Sequence, residues 1–192
     1  TTRYKFNDFT PALYKSTNYG KSWEGISSGI PKGAYTRVVR EDPARKDLLV
    51  SGTETGLYVS FNGGKTWERL QTNLPVVPVT DLQLKHGDLI VATQGRSFWI
   101  FDDLFLLRQY KGASGKMHLF TPEETIYPNW YSSMDGSNPT GTHPFKGVNP
   151  ASGMVLYYEL PKLPDSVELQ LEVVDAGGTV IRSYTSVPDA NY

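Results

Sequence analysis

The sequence contains no cysteine. That excludes disulfides, thiolate metal ligands and a cysteine nucleophile, but it names no compartment, since many exported bacterial proteins also lack disulfides. An excess of either charge is missing too. The 19 Lys and Arg nearly balance the 20 Asp and Glu, for a formal net charge of −1, so there is neither the basic footprint of a nucleic-acid binder nor a charged tail. Apolar runs last only a few residues, far short of the roughly 20 that span a bilayer. Histidine is scarce: His86, His118 and His143 lie far apart in no metal-ligand spacing, and His86 beside Gly87 has the look of a turn residue. No Ser/His/Asp order marks a nucleophile, so no catalytic residue, metal or cofactor is expected. The chain opens on Thr1-Thr-Arg-Tyr-Lys5 without an initiator Met or signal-peptide pattern, and we expect a piece of a longer protein.

What the chain does have is turn formers and aromatics: 18 Gly, 13 Pro, 8 Phe, 4 Trp and 12 Tyr in 192 residues. This balance favours strands and tight turns over helices. It is also repetitive. Leu13-Tyr-Lys-Ser-Thr-Asn-Tyr-Gly-Lys-Ser-Trp23 returns 44 residues later as Leu57-Tyr-Val-Ser-Phe-Asn-Gly-Gly-Lys-Thr-Trp67. A period of about 40–45 residues built from short strands is that of a propeller blade.

Between the copies, 36–41 and 47–53 have strand character and are joined by the turn signal Asp42-Pro43; 57–60 and 65–70 complete four strands, A to D. Strand B, 47–53, is the more continuously apolar, as expected for a strand buried on both faces. The order returns at 80–85, a His86-Gly87 turn, 88–93 and Phe98–Asp102. The chain thus holds strands C and D of one blade, a full second blade and A to C of a third. A closed propeller takes roughly 4–8 blades, so the remainder of the ring must come from other polypeptide. The third blade lacks a fourth strand: Asp103 followed by Leu-Phe-Leu-Leu-Arg-Gln predicts an N-cap and a short helix, and Thr121-Pro-Glu-Glu124 has the form of a capping box. A Gly/Pro/Asn/Ser-rich linker runs from about Asn129 to Gly153. Met154–Leu160, Val167–Asp175 and Thr179–Thr185 then alternate as strands, with a hairpin turn at Ala176-Gly177-Gly178, like the start of a β-sandwich. The expected fold is all-β: a partial β-propeller over 1–110, a linker with a short helix over 111–153, and a partial immunoglobulin-like sandwich over 154–192.

The repeated pattern is an Asp-box, Ser/Thr-x-Asp-x-Gly-x-Ser/Thr-Trp, with Asn18 and Asn62 at the Asp position. Ser16 and Ser60 open it. The Asn side chains are expected to bond the amides two residues on and to tolerate a left-handed backbone, while Gly20 and Gly64 supply positive φ and Trp23 and Trp67 bury large rings. Asn is neither acid nor base, so these residues are expected to punctuate the fold, not to catalyse. Asn62-Gly-Gly-Lys65 lacks the Gly-Lys-Ser/Thr ending of a phosphate loop.

Asp8–Trp23, Gly52–Ser60 and Asp88–Asp103, above all Gly95-Arg-Ser-Phe-Trp-Ile-Phe-Asp-Asp103, resemble large bacterial BNR-repeat proteins. These are sortilin-like propeller proteins often labelled glycosyl hydrolases. The resemblance covers nearly the whole chain and implies an exported, extracytoplasmic protein whose propeller continues through a linker into an immunoglobulin-like domain. It implies no settled activity. Members that cleave glycans use acidic residues at the propeller centre, and none maps onto this chain.

In a propeller the B–C and D–A loops share one face. That places Glu54 with Thr55, Gln94 with Arg96, and Tyr35 together as candidate ligand-binding residues: a guanidinium beside a carboxylate and an amide suits a polyol or carboxylate. Pairing of Arg96 with a neighbouring blade is the structural alternative. Asp102 and Asp103 could offer carboxylates to a sugar or Ca²⁺, although a helix cap accounts for Asp103. Trp130-Tyr131 could stack on a sugar or simply dock the linker. Two functions follow: a non-catalytic interaction or scaffold module binding protein or glycan, or a fragment of an Asp-box glycoside hydrolase, which needs a carboxylate pair about 5–9.5 Å apart.

Overall fold

Short β-branched runs separated by Gly, Asn and Asp turns produce a molecule made mostly of antiparallel sheet. The computed structural model describes residues 3–70, 72–112, 115–125, 153–164 and 166–187, in two compact units, Thr1–Gly112 and Ala113–Tyr192.

In the first unit β1 (Tyr14–Lys15) and β2 (Glu24–Gly25) form a hairpin. Then β3 (Thr36–Glu41), β4 (Leu49–Thr53), β5 (Gly56–Ser60) and β6 (Glu68–Leu70) form a four-stranded sheet in chain order, and β7 (Val79–Lys85), β8 (Asp88–Thr93) and β9 (Phe98–Phe101) form a three-stranded one. The four strands expected between 36 and 70 are all there. The last starts only at Glu68, because residues 62–66 are taken up by the turn.

Alternation along each strand decides what the sheets bury. Register places Val50 opposite Val59 and Gly52 opposite both Leu57 and Val38, so these residues share one face. Val38, Val50 and Leu57 from that face pack with Val79, Leu82, Leu89 and Val91 of the next sheet. Gly52 makes this approach possible: a Cβ there would stand 2.5 Å from Val79 Cγ1. The opposite face sends Tyr58 and Leu49 into a second core with Leu13, Ile30, Ala34 and Trp67. Both β4 and β5 are almost wholly buried, so apolar continuity in the chain extends beyond strand B.

The structure lengthens the repeat. Ile26 and Ile30 pack on the core holding Trp67, while Leu70 and Leu74, each 44 residues on, pack on the core holding Leu104. A short helix, α1 (Leu104–Gln109), therefore stands where a fourth strand and its Trp would be, with Leu104 and Leu107 covering the same kind of site. The helix forms as predicted, but Asp103 does not cap it. Its backbone is left-handed, at φ 63, and its side chain makes no capping bond.

In the second unit β10 (His118–Leu119) pairs with β11 (Tyr158–Glu159), and β12 (Gln170–Val174) pairs with β13 (Val180–Thr185). Two expectations fail here. Thr121–Glu124 is irregular rather than helical; a single helical turn is a costly nucleus with few backbone bonds to offset it. Of Met154–Leu160 only two residues are strand, and they pair with His118–Leu119, inside the expected linker. The hairpin at 176–178 forms, with Asp175 Oδ1 accepting the amides of Gly177 and Thr179 at 2.8 Å each. Trp130-Tyr131, His143 and most of the linker lie outside the described residues.

Candidate functional site

The two Asp-box turns superimpose bond for bond. In the second, Ser60 Oγ donates to Asn62 Oδ1 (3.0 Å) and accepts the amides of Asn62 (3.4 Å) and Gly64 (2.9 Å). Asn62 Oδ1 accepts the Thr66 amide (3.0 Å), and its Nδ2 donates to Thr66 Oγ1 (2.8 Å). Ser16, Asn18, Gly20 and Ser22 repeat every one of these bonds. Three expectations are corrected. The Asn side chain reaches the amide four residues on, because the Ser hydroxyl already takes the one two residues on. The left-handed residues are Tyr19 and Gly63 along with Gly20 and Gly64, not the asparagines. And only Trp67 is buried, at 4% exposure, against 64% for Trp23. Trp67 donates through Nε1 to the Ile26 carbonyl, and its amide bonds the Ser28 carbonyl.

At the other end of the four-stranded sheet, β3 and the β4–β5 turn bring Tyr35 and Glu54 together, with the Glu54 amide bonded to the Tyr35 carbonyl at 3.1 Å. Between them stands Arg37, which sequence reasoning missed. Its Nε and Nη2 both donate to Glu54 Oε2 (2.9 and 2.6 Å), and Nη2 also donates to the Tyr35 hydroxyl (2.8 Å). The guanidinium lies over the rings of Tyr35 (5.1 Å) and Tyr4 (6.0 Å). Tyr4 stacks on Tyr35 at 5.0 Å and Phe9 tilts against it at 6.0 Å. Burial, reinforced by Glu54, raises the Tyr35 hydroxyl above the ordinary tyrosine range. Burial works against the Arg37 charge, and Glu54 outweighs it. The signal was legible: Tyr35-Thr-Arg37 puts Tyr35 and Arg37 two apart on a strand, hence on one face.

Gln94 and Arg96 do not join this cluster. They occupy the matching turn of the next sheet, where the Gln94 amide bonds the Pro78 carbonyl (2.9 Å) as Glu54 bonds Tyr35. Both side chains are exposed. Arg96 is fixed through its backbone, whose carbonyl accepts Trp99 Nε1 at 2.9 Å, and no ion pair ties it to a neighbouring sheet among the described residues.

A second charged cluster joins the β3–β4 turn to α1. Asp42 Oδ1 accepts the amides of Ala44 (2.8 Å) and Arg45 (2.6 Å), and Arg108 grips both carboxylate oxygens at 3.0–3.2 Å. Burial alone would raise the Asp42 carboxyl; the bonds from Arg108 and the two amides outweigh it and hold it below the usual range. Arg45 Nη1 donates to the carbonyls of Leu107, Arg108 and Tyr110, closing the helix C-terminus. Asp102 is raised, by burial and then by Asp88 and Asp103.

Among the described residues no His/Asp/Glu group is arranged to hold a metal ion, and no helix is long and apolar enough to cross a membrane. No protein-family model matches the chain, and no curated protein matches it.

Proposed function

We propose that residues 1–110 are blades of an Asp-box propeller, that 154–192 belong to an immunoglobulin-like sandwich, and that the chain is a non-catalytic interaction module completed by further polypeptide. Support comes from the Ser–Asn–Thr turn network repeated at 44 residues and from the resemblance to BNR-repeat proteins, which also supports an extracytoplasmic setting. The ligand, protein or glycan, meets the loop end carrying Tyr4, Tyr35, Arg37, Glu54, Gln94 and Arg96. One observation carries the non-catalytic assignment: Glu54, the carboxylate of that loop end, is engaged twice by Arg37. Hydrolysis needs one carboxyl to protonate the leaving group and another to act on water or the sugar. Aromatics stacked around the Arg37 guanidinium, with an exposed Arg96 on the matching turn of the next sheet, suit recognition instead.

The test is a glycan and sialoside panel against the purified chain, read by calorimetry and by product release. Binding without turnover is expected, with Arg96→Ala weakening it by about 1.5–3 kcal/mol, the worth of a hydrogen bond to a charged group. Turnover abolished by Glu54→Gln would instead establish a glycoside hydrolase fragment.

A further inference from the structure

A groove of about 480 Å³ lies beside β1, lined by Ala12, Leu13, Tyr14, Trp23 and Val39. The repeat shows what such a groove holds. β1 is the counterpart of β5, but among the described residues β1 pairs only with β2, whereas β5 pairs with both β4 and β6. Val39 is the counterpart of Leu82: β3 and β7 each carry a bulge after their first residue, and Val39 and Leu82 come at the same step beyond it, opposite Ser51 and Val91. Leu82 is 1% exposed because it shares a core with Leu57 and with Val50 of β4. Val39 has the counterpart of Leu57, which is Leu13, but the residue 44 before Val50 is Phe6, held in a 3-10 turn at 85% exposure and absent from the groove's lining, and Val39 is left 37% exposed. The groove is thus the place of a β4-like strand.

We propose that this groove takes a strand pair of the β3–β4 type from outside the 192 residues, its second strand adding antiparallel to the open edge of β1 and inserting an apolar side chain between Leu13 and Val39. Backbone bonds to β1 supply affinity, and the size of the inserted side chain supplies selection. A charge at the inserting position faces Leu13 and Val39 without a partner and is rejected. The inference rests on the blade assignment proposed above, but it uses a different surface, so peptide binding here and ligand binding at Arg96 succeed or fail separately.

The probe is a synthetic peptide with the sequence of Thr36–Thr53, titrated into the intact chain. Trp emission should shift to the blue, and the amide of Tyr14, which faces the open edge while that of Lys15 faces β2, should become protected from hydrogen exchange. Val39→Asp, a substitution at a half-exposed site that leaves the fold standing by circular dichroism, should weaken binding at least about tenfold, as should Val50→Asp within the peptide. Trp23→Phe should remove much of the emission change and keep the exchange protection. Equal binding of a scrambled peptide, or no binding up to about 1 mM, a standard free energy near −4 kcal/mol, would overturn the proposal. So would self-association that buries Trp23 and is abolished by Val39→Asp, which would assign the groove to a second copy.

Discussion

Tyr19 and Gly63 occupy the same place in the two Asp-box turns, and both have a left-handed backbone, at φ 56 and 70. At Gly63 a Cβ would stand 2.6 Å from Asp47 Oδ1 and would push aside the half-exposed Asp47 side chain. Tyr19 faces open solvent and bears the conformational cost of an L-residue in that region. Tyr19→Gly should therefore raise stability by a few tenths to about 1 kcal/mol in urea unfolding, the strain relieved being partly offset by the freedom Gly adds to the unfolded chain. Gly63→Tyr should destabilise by more than that gain. Asn62 gives a second contrast. Asn62→Ala should cost about 1 kcal/mol, by removing an acceptor and a donor from the turn. Asn62→Asp should cost less, since the Thr66 hydroxyl can rotate to donate to the new carboxylate. Trp67→Ala should cost about 3–5 kcal/mol and Trp23→Ala under about 0.5, because only the first ring lies in a core.

At the scale of elements, α1 takes the place of a strand and needs a clasp that strands do not. A six-residue helix is unstable alone. It is held by Leu104 in the core, by Arg45 on its last carbonyls and by the Arg108–Asp42 pair. The Asp42 side chain is fully buried while Arg108 keeps 24% exposure. Arg108→Ala should cost about 2–3 kcal/mol, below the roughly 3–5 of a pair buried on both sides. The pH dependence has a definite sign. The folded Asp42 carboxyl is lowered, so its contribution is complete above the unfolded value near 3.8 and is lost as pH falls through the lower folded value. Urea midpoints of the parent and Asp42→Asn should differ most at neutral pH and converge in strongly acid solution.

For the whole molecule, the open edge of β1 and the exposed Trp23, Tyr14 and Val39 make a surface that single-chain folding leaves unsatisfied. The exposed Val173, Val174, Val180, Ile181 and Tyr184 on the β12–β13 hairpin do the same for the second unit. Unpaired strand edges and apolar faces drive association. Light scattering should show self-association that grows with concentration and survives Val39→Asp, since the β12–β13 face carries it, and a sharply two-state monomer with high-temperature unfolding would contradict the count of missing strands.

The sequence determined whatever depends on local chemistry. The 44-residue repeat, the strand spans of 36–41 and 88–93, the His86-Gly87 turn and the Asn-x-Gly turns are written in periodicity and in residues that tolerate positive φ, and each forms where it was expected. The helix after Asp103 was also legible, although the cap assigned to Asp103 was not, because its backbone conformation is set by how α1 packs. Tertiary structure alone decided which neighbours meet. It joined Arg37 to Glu54 across two strands, sent Arg108 to Asp42 across 66 residues, and left Thr121–Glu124 irregular. It also buried one Trp of an identical pair and exposed the other. The turn motif states that a ring is present. Burial of that ring depends on a carbonyl and an isoleucine contributed 41 residues earlier, and no local pattern around Trp23 encodes whether they are there.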